Sequence, residues 1–129
     1  MSAYTLVNLQ DLDDVAAART DGQVEARFAR SHLDSAELGV SFFRYAPGYR
    51  SSMGHSHREQ EEAYVVVGGS GRVKLDDAVV DLRHWDVLRV APETVRAFEA
   101  GPDGLELVAL GGHRPEEGDG VPVVDWWTD

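Results

Sequence analysis

The chain has 129 residues, 43 % of them apolar, and its 12 Lys and Arg against 23 Asp and Glu give a formal net charge of −11. That length suits one domain, is short for two, and can bury enough apolar surface to fold without disulfides or a structural metal. With no cysteine, disulfides, thiolate nucleophiles and Cys-based zinc or iron–sulfur sites are excluded, and the negative charge speaks against a nucleic acid or an anionic membrane as partner.

No stretch approaches the roughly 20 apolar residues of a membrane span, and the first residues lack the basic-then-apolar order of a signal peptide. The expected location is therefore the cytoplasm. In chain order, Tyr4–Leu9 reads as a strand, and Asp11 as the cap of a short helix reaching Ala18, with Asp14 in its first turn. Beyond Glu37 the pattern changes to short runs rich in Val, Leu, Phe and Tyr. The expected strands are Leu38–Tyr45, Glu62–Val67, Arg72–Asp76, Val79–Leu82, Val87–Val90, Thr94–Glu99 and Leu105–Leu110. Gly, Pro and Asp clusters separate them, among them Gly68-Gly-Ser-Gly71 and Gly101-Pro-Asp-Gly104, which read as tight turns.

Such a series without long helices predicts an all-β, antiparallel closed barrel or two-sheet sandwich. The expected organisation is a single domain over residues 1–129, with the barrel at about 38–110 and a polar tail at 111–129. Within that tail, 112–121 reads as exposed, and Trp126 and Trp127 as docking back on the barrel.

The chemistry concentrates in Gly54-His-Ser-His-Arg-Glu-Gln-Glu-Glu62-Ala-Tyr64. Residues two apart in an extended chain share a face, so His55 and His57 can offer both imidazoles to one interior point. The polar run Arg58–Gln60 allows a turn that resets the alternation, after which Glu62, Tyr64 and Val66 share a face. Two neutral imidazoles and a carboxylate suit a divalent metal such as Zn, Ni, Mn or Fe. A His-x-His in a polar loop can also be simply solvated, and Glu59, Glu61 and Glu62 an exposed rim. His32, His84 and His113 fall in polar segments without a partner at ligand spacing and read as solvated.

The stretch from Gly48 to Gly69 resembles the first motif of the cupin superfamily, Gly-x5-His-x-His-x3–4-Glu-x6-Gly, through His55, His57, Glu62 and Gly69. It departs at the opening glycine, where six residues rather than five separate Gly48 from His55. Asp86-Val-Leu-Arg-Val-Ala-Pro92-Glu-Thr-Val-Arg96-Ala-Phe98 is similar to the second motif, with Trp85 where a glycine is common and Glu93 in place of another. Arg96 stands where that motif carries the fourth metal ligand, normally His. The resemblance covers about Leu38 to Leu110 and implies a jelly-roll barrel of about six to eight strands with the site inside, often as a homodimer. It does not imply one activity, since the superfamily spans dioxygenases, decarboxylases, isomerases, sugar-binding regulators and storage proteins.

A guanidinium has no lone pair to give and cannot ligate a cation. Two arrangements accommodate Arg96. In one, His55, His57 and Glu62 hold metal with open positions while Arg96 fixes the carboxylate or enolate of a small anionic organic compound. In the other there is no physiological metal, and Arg96 pairs with Glu62 or Glu61. The functional expectation is accordingly a metal site with dioxygenase, lyase or isomerase chemistry, with Glu61 as acid or base and Tyr64 as a hydrogen-bond donor. The alternatives are a metal-free binder of an organic acid, or a bare scaffold. Arg96 is expected on the inner face of Thr94–Glu99, together with Phe98. Exposed apolar outer-sheet surface and a Tyr4–Leu9 run that needs an edge to pair with also predict a two-fold homodimer.

Overall fold

The computed structural model describes residues 3–129. Its strands are β1 (Val24–Phe28), β2 (Gly39–Tyr45), β3 (Gly54–His57), β4 (Glu62–Leu75), β5 (Ala78–Leu82), β6 (Val87–Val90), β7 (Arg96–Gly111) and β8 (Gly120–Val123). One short helix, α1 (Arg30–Leu33), joins β1 to β2, and two 3-10 turns precede β1 at Leu9–Asp11 and Ala17–Arg19. All pairings are antiparallel, running β1-β2-β7-β3-β8, with β4 beside β7 and carrying β6 and β5 on its other edge. The result is an all-β jelly-roll barrel. No helix among the described residues is long and apolar enough to cross a membrane.

The two glycine clusters expected as turns lie instead inside the two longest strands. Glu62–Val67 and Arg72–Asp76 fall along β4, apart from Asp76, which follows it, and Thr94–Glu99 and Leu105–Leu110 fall along β7, apart from Thr94 and Val95, which precede it. The β4–β7 register shifts between Val66 and Gly68 and again between Gly69 and Gly71, so the glycines serve as bulges that let both strands bend around the barrel. At Gly69, with φ +68°, an added Cβ would stand 2.0 Å from the carbonyl oxygen of Gly104, and at Gly71 one would stand 2.2 Å from that of Glu99. Only glycine permits those backbones to approach. Trp85, standing where a glycine is common, does adopt a left-handed φ of +76° and stacks on His84 with ring centroids 4.4 Å apart. That stacking sits on the surface, and the backbone conformation carries a strain of about 1–2 kcal/mol.

The N-terminal expectations need correction. Tyr4–Leu9 is not a strand, and the 3-10 turn that follows is capped by Asn8, whose side chain accepts from the Gln10 N–H. Asp11 is not the cap. Asp14 does the corresponding work, its Oδ1 accepting from the N–H groups of Ala16, Ala17 and, across the chain, Ala26 in β1.

The core alternates along the strands as a half-buried sheet requires. Tyr64 and Val66 of β4 and Leu105, Leu107 and Ala109 of β7 interdigitate with Val73, Leu82, Val90 and Phe98. Fully burying each of the larger side chains contributes about 1.5–3 kcal/mol. Tyr64, Phe98 and Ala109 of this core also line the cavity that holds the polar groups.

The C-terminal segment packs back on the barrel. The Trp127 indole N–H donates to the Ser51 carbonyl at 3.0 Å, the Arg50 guanidinium lies 4.3 Å from the Trp127 ring centroid, and Lys74 lies over Trp126. Residues 112–121 are not wholly an exposed tail, because β8 pairs with β3 from Gly54↔Val123 to His57↔Gly120. The sheet thus extends beyond the expected 38–110 at both ends, through β1 and β8.

Candidate metal centre

β3 and β4 meet at a turn, and Asp119, carried in by β8, organises it. The Glu59 and Gln60 backbone N–H groups both donate to Asp119 Oδ2 at 2.8 Å, satisfying donors that the change from β3 to β4 would otherwise orphan. This turn resets the strand alternation, so that His55 and His57 on β3 and Glu62 on β4 face one point. Their ligand atoms lie within 4.8 Å of one another, the two imidazole rings standing edge to face with centroids 5.2 Å apart.

Glu62 Oε1 is the hub. His57 Nε2 lies 3.1 Å from it, His55 Nε2 3.7 Å, the Tyr64 hydroxyl donates to it at 2.6 Å, and Arg96 Nη2 approaches to 3.7 Å. Burial would raise the Glu62 pKa, but the contacts from His55, His57 and Tyr64 outweigh it and hold the carboxyl well below its ordinary range. Burial and the neighbouring Glu62 charge push the Tyr64 phenol well above its usual value, so its O–H stays a donor that orients the carboxylate.

His57 is held from both sides. Its Nδ1 lies 2.8 Å from Asp119 Oδ1 and its Nε2 faces Glu62, and the Glu62 contact, with Asp119 adding to it, raises the imidazole pKa against the opposing effect of burial. Asp119 is fully buried; burial would raise its pKa, but the Glu59 N–H, His57 and the Gln60 N–H bring the carboxyl down to about 2. With Nδ1 held by this carboxylate, His57 can give up the proton on Nε2 and turn that nitrogen's lone pair to a metal at the shared point, the arrangement that metal-binding histidines use. The donor set therefore fits a divalent ion: two imidazoles, one of them oriented by a carboxylate, and one ionised carboxylate. Asp119→Asn should weaken divalent metal binding by about 10–100-fold, read by competition with a chromogenic chelator; an unchanged affinity would mean that the His57 orientation is set elsewhere.

Arg96, at the start of β7 opposite His55, is completely buried. Its contacts are long: Nη1 donates to the His55 and Pro92 carbonyls at 3.4 Å each and Nη2 to the Ala91 carbonyl at 3.5 Å, while buried Nε has no partner among the described residues. The side chain lines the same cavity as His55, His57, Glu62 and Tyr64, a space of about 620 Å³ that also takes in Phe43, Tyr45, Met53 and Phe98.

Glu61 is not brought into this group. It points outward, 59 % exposed, and pairs with Arg89 on the surface at 2.9 Å, because the alternation that turns Glu62 inward turns its neighbour out. His32 and His84 are exposed, and His113 meets Glu37 at 3.1 Å on the outside. Asp119 was not anticipated from sequence. Its only signal is the Gly118-Asp-Gly120 punctuation before the short alternating Val121-Pro-Val123.

No family model matches the sequence, and no curated protein does. Solved structures do. A cupin protein from Bacteroides fragilis superposes with TM-score 0.70 at 21 % identity, covering 100 % of this chain and 99 % of its own. A variant of the oxalate decarboxylase of B. subtilis gives TM-score 0.78 at 19 % identity over 98 % of this chain, which spans only 34 % of that protein. DMSP lyases give TM-score 0.69 at 20 % identity over 84 % of this chain and 59 % of theirs.

Proposed function

Because the chain has the cupin fold, with an inward-facing His, His and Glu group that can hold a metal ion, we propose that it is a metal-dependent protein acting on a small organic acid. His55, His57 and Glu62 are the ligands, Arg96 receives the carboxylate or enolate of the guest, and Tyr64 is a positioning residue acting through Glu62. A bound divalent ion would supply Lewis-acid polarisation of a substrate oxygen. Chemistry of lyase, dioxygenase or isomerase type at the carbon beside the carboxylate fits this arrangement. Two of the structural neighbours are by name an oxalate decarboxylase and DMSP lyases.

The observation that carries the reading is the state of Arg96. A fully buried guanidinium with long contacts to carbonyls, an approach of 3.7 Å to Glu62 and an unpartnered Nε retains unspent donors, and a planar, bidentate acid is the partner such a fork is shaped for. The Arg96–Glu62 approach also supports the metal-free binder as a second reading. Metal content separates the two. Protein purified without added metal should carry close to one equivalent of a divalent ion per chain by elemental analysis, and His55→Ala should carry almost none. Equal, negligible content in both would favour the metal-free binder.

We further propose a two-fold homodimer. Leu6 is 88 % exposed, and Val79, Val80, Trp85 and Val87 of the β5–β6 region are exposed as well, apolar side chains that a second copy would cover. Light scattering at tens of micromolar should give twice the chain mass; a monomer mass would contradict it.

A further inference from the structure

The cavity contains more positive charge than a metal centre with one guest-binding arginine requires. Its charged lining is Arg30, Arg96, Arg114 and Glu62, three cations against one anion, in a protein whose formal net charge is −11. Arg96 lies at the buried end beside Glu62. Arg30 and Arg114 belong to other elements, α1 and the segment before β8, and Arg114 is exposed, so this pair sits where the cavity meets solvent.

The fold makes room for the Arg30 guanidinium. Gly39 of β2 and Gly111 of β7 face each other in the sheet, and both are buried. A Cβ at Gly39 would stand 2.5 Å from Arg30 Nη2, and one at Gly111 would stand 2.2 Å from Gln60 Nε2 and 3.2 Å from Arg30 Nη2. Two opposed glycines thus clear a floor on which Arg30 lies. Its one hydrogen bond there is from Nη2 to the Gly112 carbonyl at 3.0 Å. Among the described residues neither Arg30 nor Arg114 has a carboxylate within ion-pair distance, although the chain has 23 acidic residues to choose from. Burial, and then the charge of Arg114, push Arg30 below its ordinary pKa against the opposing charges of Glu62, Asp119 and Glu37.

We propose that Arg30 and Arg114 form a second anion-binding subsite, so that the guest is a dicarboxylic acid held at both ends: one carboxylate at Arg96 beside the metal ligands, the other at the cavity mouth. Phe28, Phe43, Met53 and Phe98 in the same lining suit a hydrocarbon spacer between the two. The assignment rests on the organic-acid reading above and narrows its substrate class. It also gives the net-negative protein a local field that draws an anion in.

Isothermal titration of the Mn²⁺-loaded protein with adipate and with hexanoate, which differ only in the second carboxylate, tests it; succinate and suberate set the spacer length. The wild type should bind the best-fitting diacid about tenfold or more tighter than hexanoate, the effect of one charge-assisted contact. Arg114→Ala, a change at an exposed position, should reduce diacid affinity to the hexanoate level with hexanoate itself within about twofold, and Arg114→Lys should keep part of the preference. Hexanoate binding without diacid preference, or a preference that survives Arg114→Ala, would overturn the second subsite while leaving the organic-acid reading intact. Failure of every acid to bind would overturn both.

Discussion

Glu62→Ala should destabilise the metal-free protein by about 3–5 kcal/mol, because it leaves a buried cation without its partner. Among the described residues Glu62 is the one carboxylate within ion-pair distance of Arg96, which is itself fully buried. The loss also removes the acceptor of the Tyr64 hydroxyl and of His57 Nε2, so the change should abolish metal retention as well. If the charge imbalance is the cause, adding Arg96→Met to Glu62→Ala should recover most of the stability, since removing both partners of a buried pair is close to neutral. Urea denaturation of the two variants and the wild type, all treated with chelator, measures this. A double variant no more stable than Glu62→Ala would mean that lost packing, not the stranded guanidinium, carries the penalty.

Arg96→His should bind divalent metal at least about tenfold tighter than the wild type and lose organic-acid affinity by a similar factor. The wild-type guanidinium opposes any cation at the shared point: a unit charge about 4 Å away is worth on the order of 4 kcal/mol at an effective dielectric of about 20. A neutral imidazole in its place removes that repulsion and offers a lone pair. The same change deletes the bidentate donor for a carboxylate. Competition titrations with chelator for metal, and calorimetry with hexanoate for the acid, check the two halves separately. Equal metal affinities would mean that Arg96 does not bear on the ligand point.

Much of this site was legible before folding because it obeys a two-residue alternation. His55 and His57 share a face of an extended segment, the Arg58–Gln60 turn resets the register for Glu62, and Arg96 is placed by its distance from Phe98 along one strand. What was not legible depends on long-range pairing. Asp119 reaches His57 only because β8 adds to β3, and β8 is four residues long with Pro122 in it, a weak strand signal suited to a sheet edge. β1 was equally faint, since its buried positions are only Val24 and Ala26, between Glu25 and Arg27. Arg30 acquires its place from Gly39 and Gly111, which become neighbours only through the β2–β7 register. The glycine clusters were misread because a turn and a bulge use the same residues; only the continuous pairing of β4 with β7 distinguishes them.

The central claim is that His55, His57 and Glu62 hold one metal ion beside Arg96, and X-ray absorption on the cobalt-loaded protein tests it most directly. The first shell should contain two imidazoles with the remaining ligands oxygen, one imidazole fewer in His55→Ala, and the spectrum should change when hexanoate is added to the wild type but not to Arg96→Met. A cobalt environment with no imidazole, or one indifferent to His55→Ala, would contradict it.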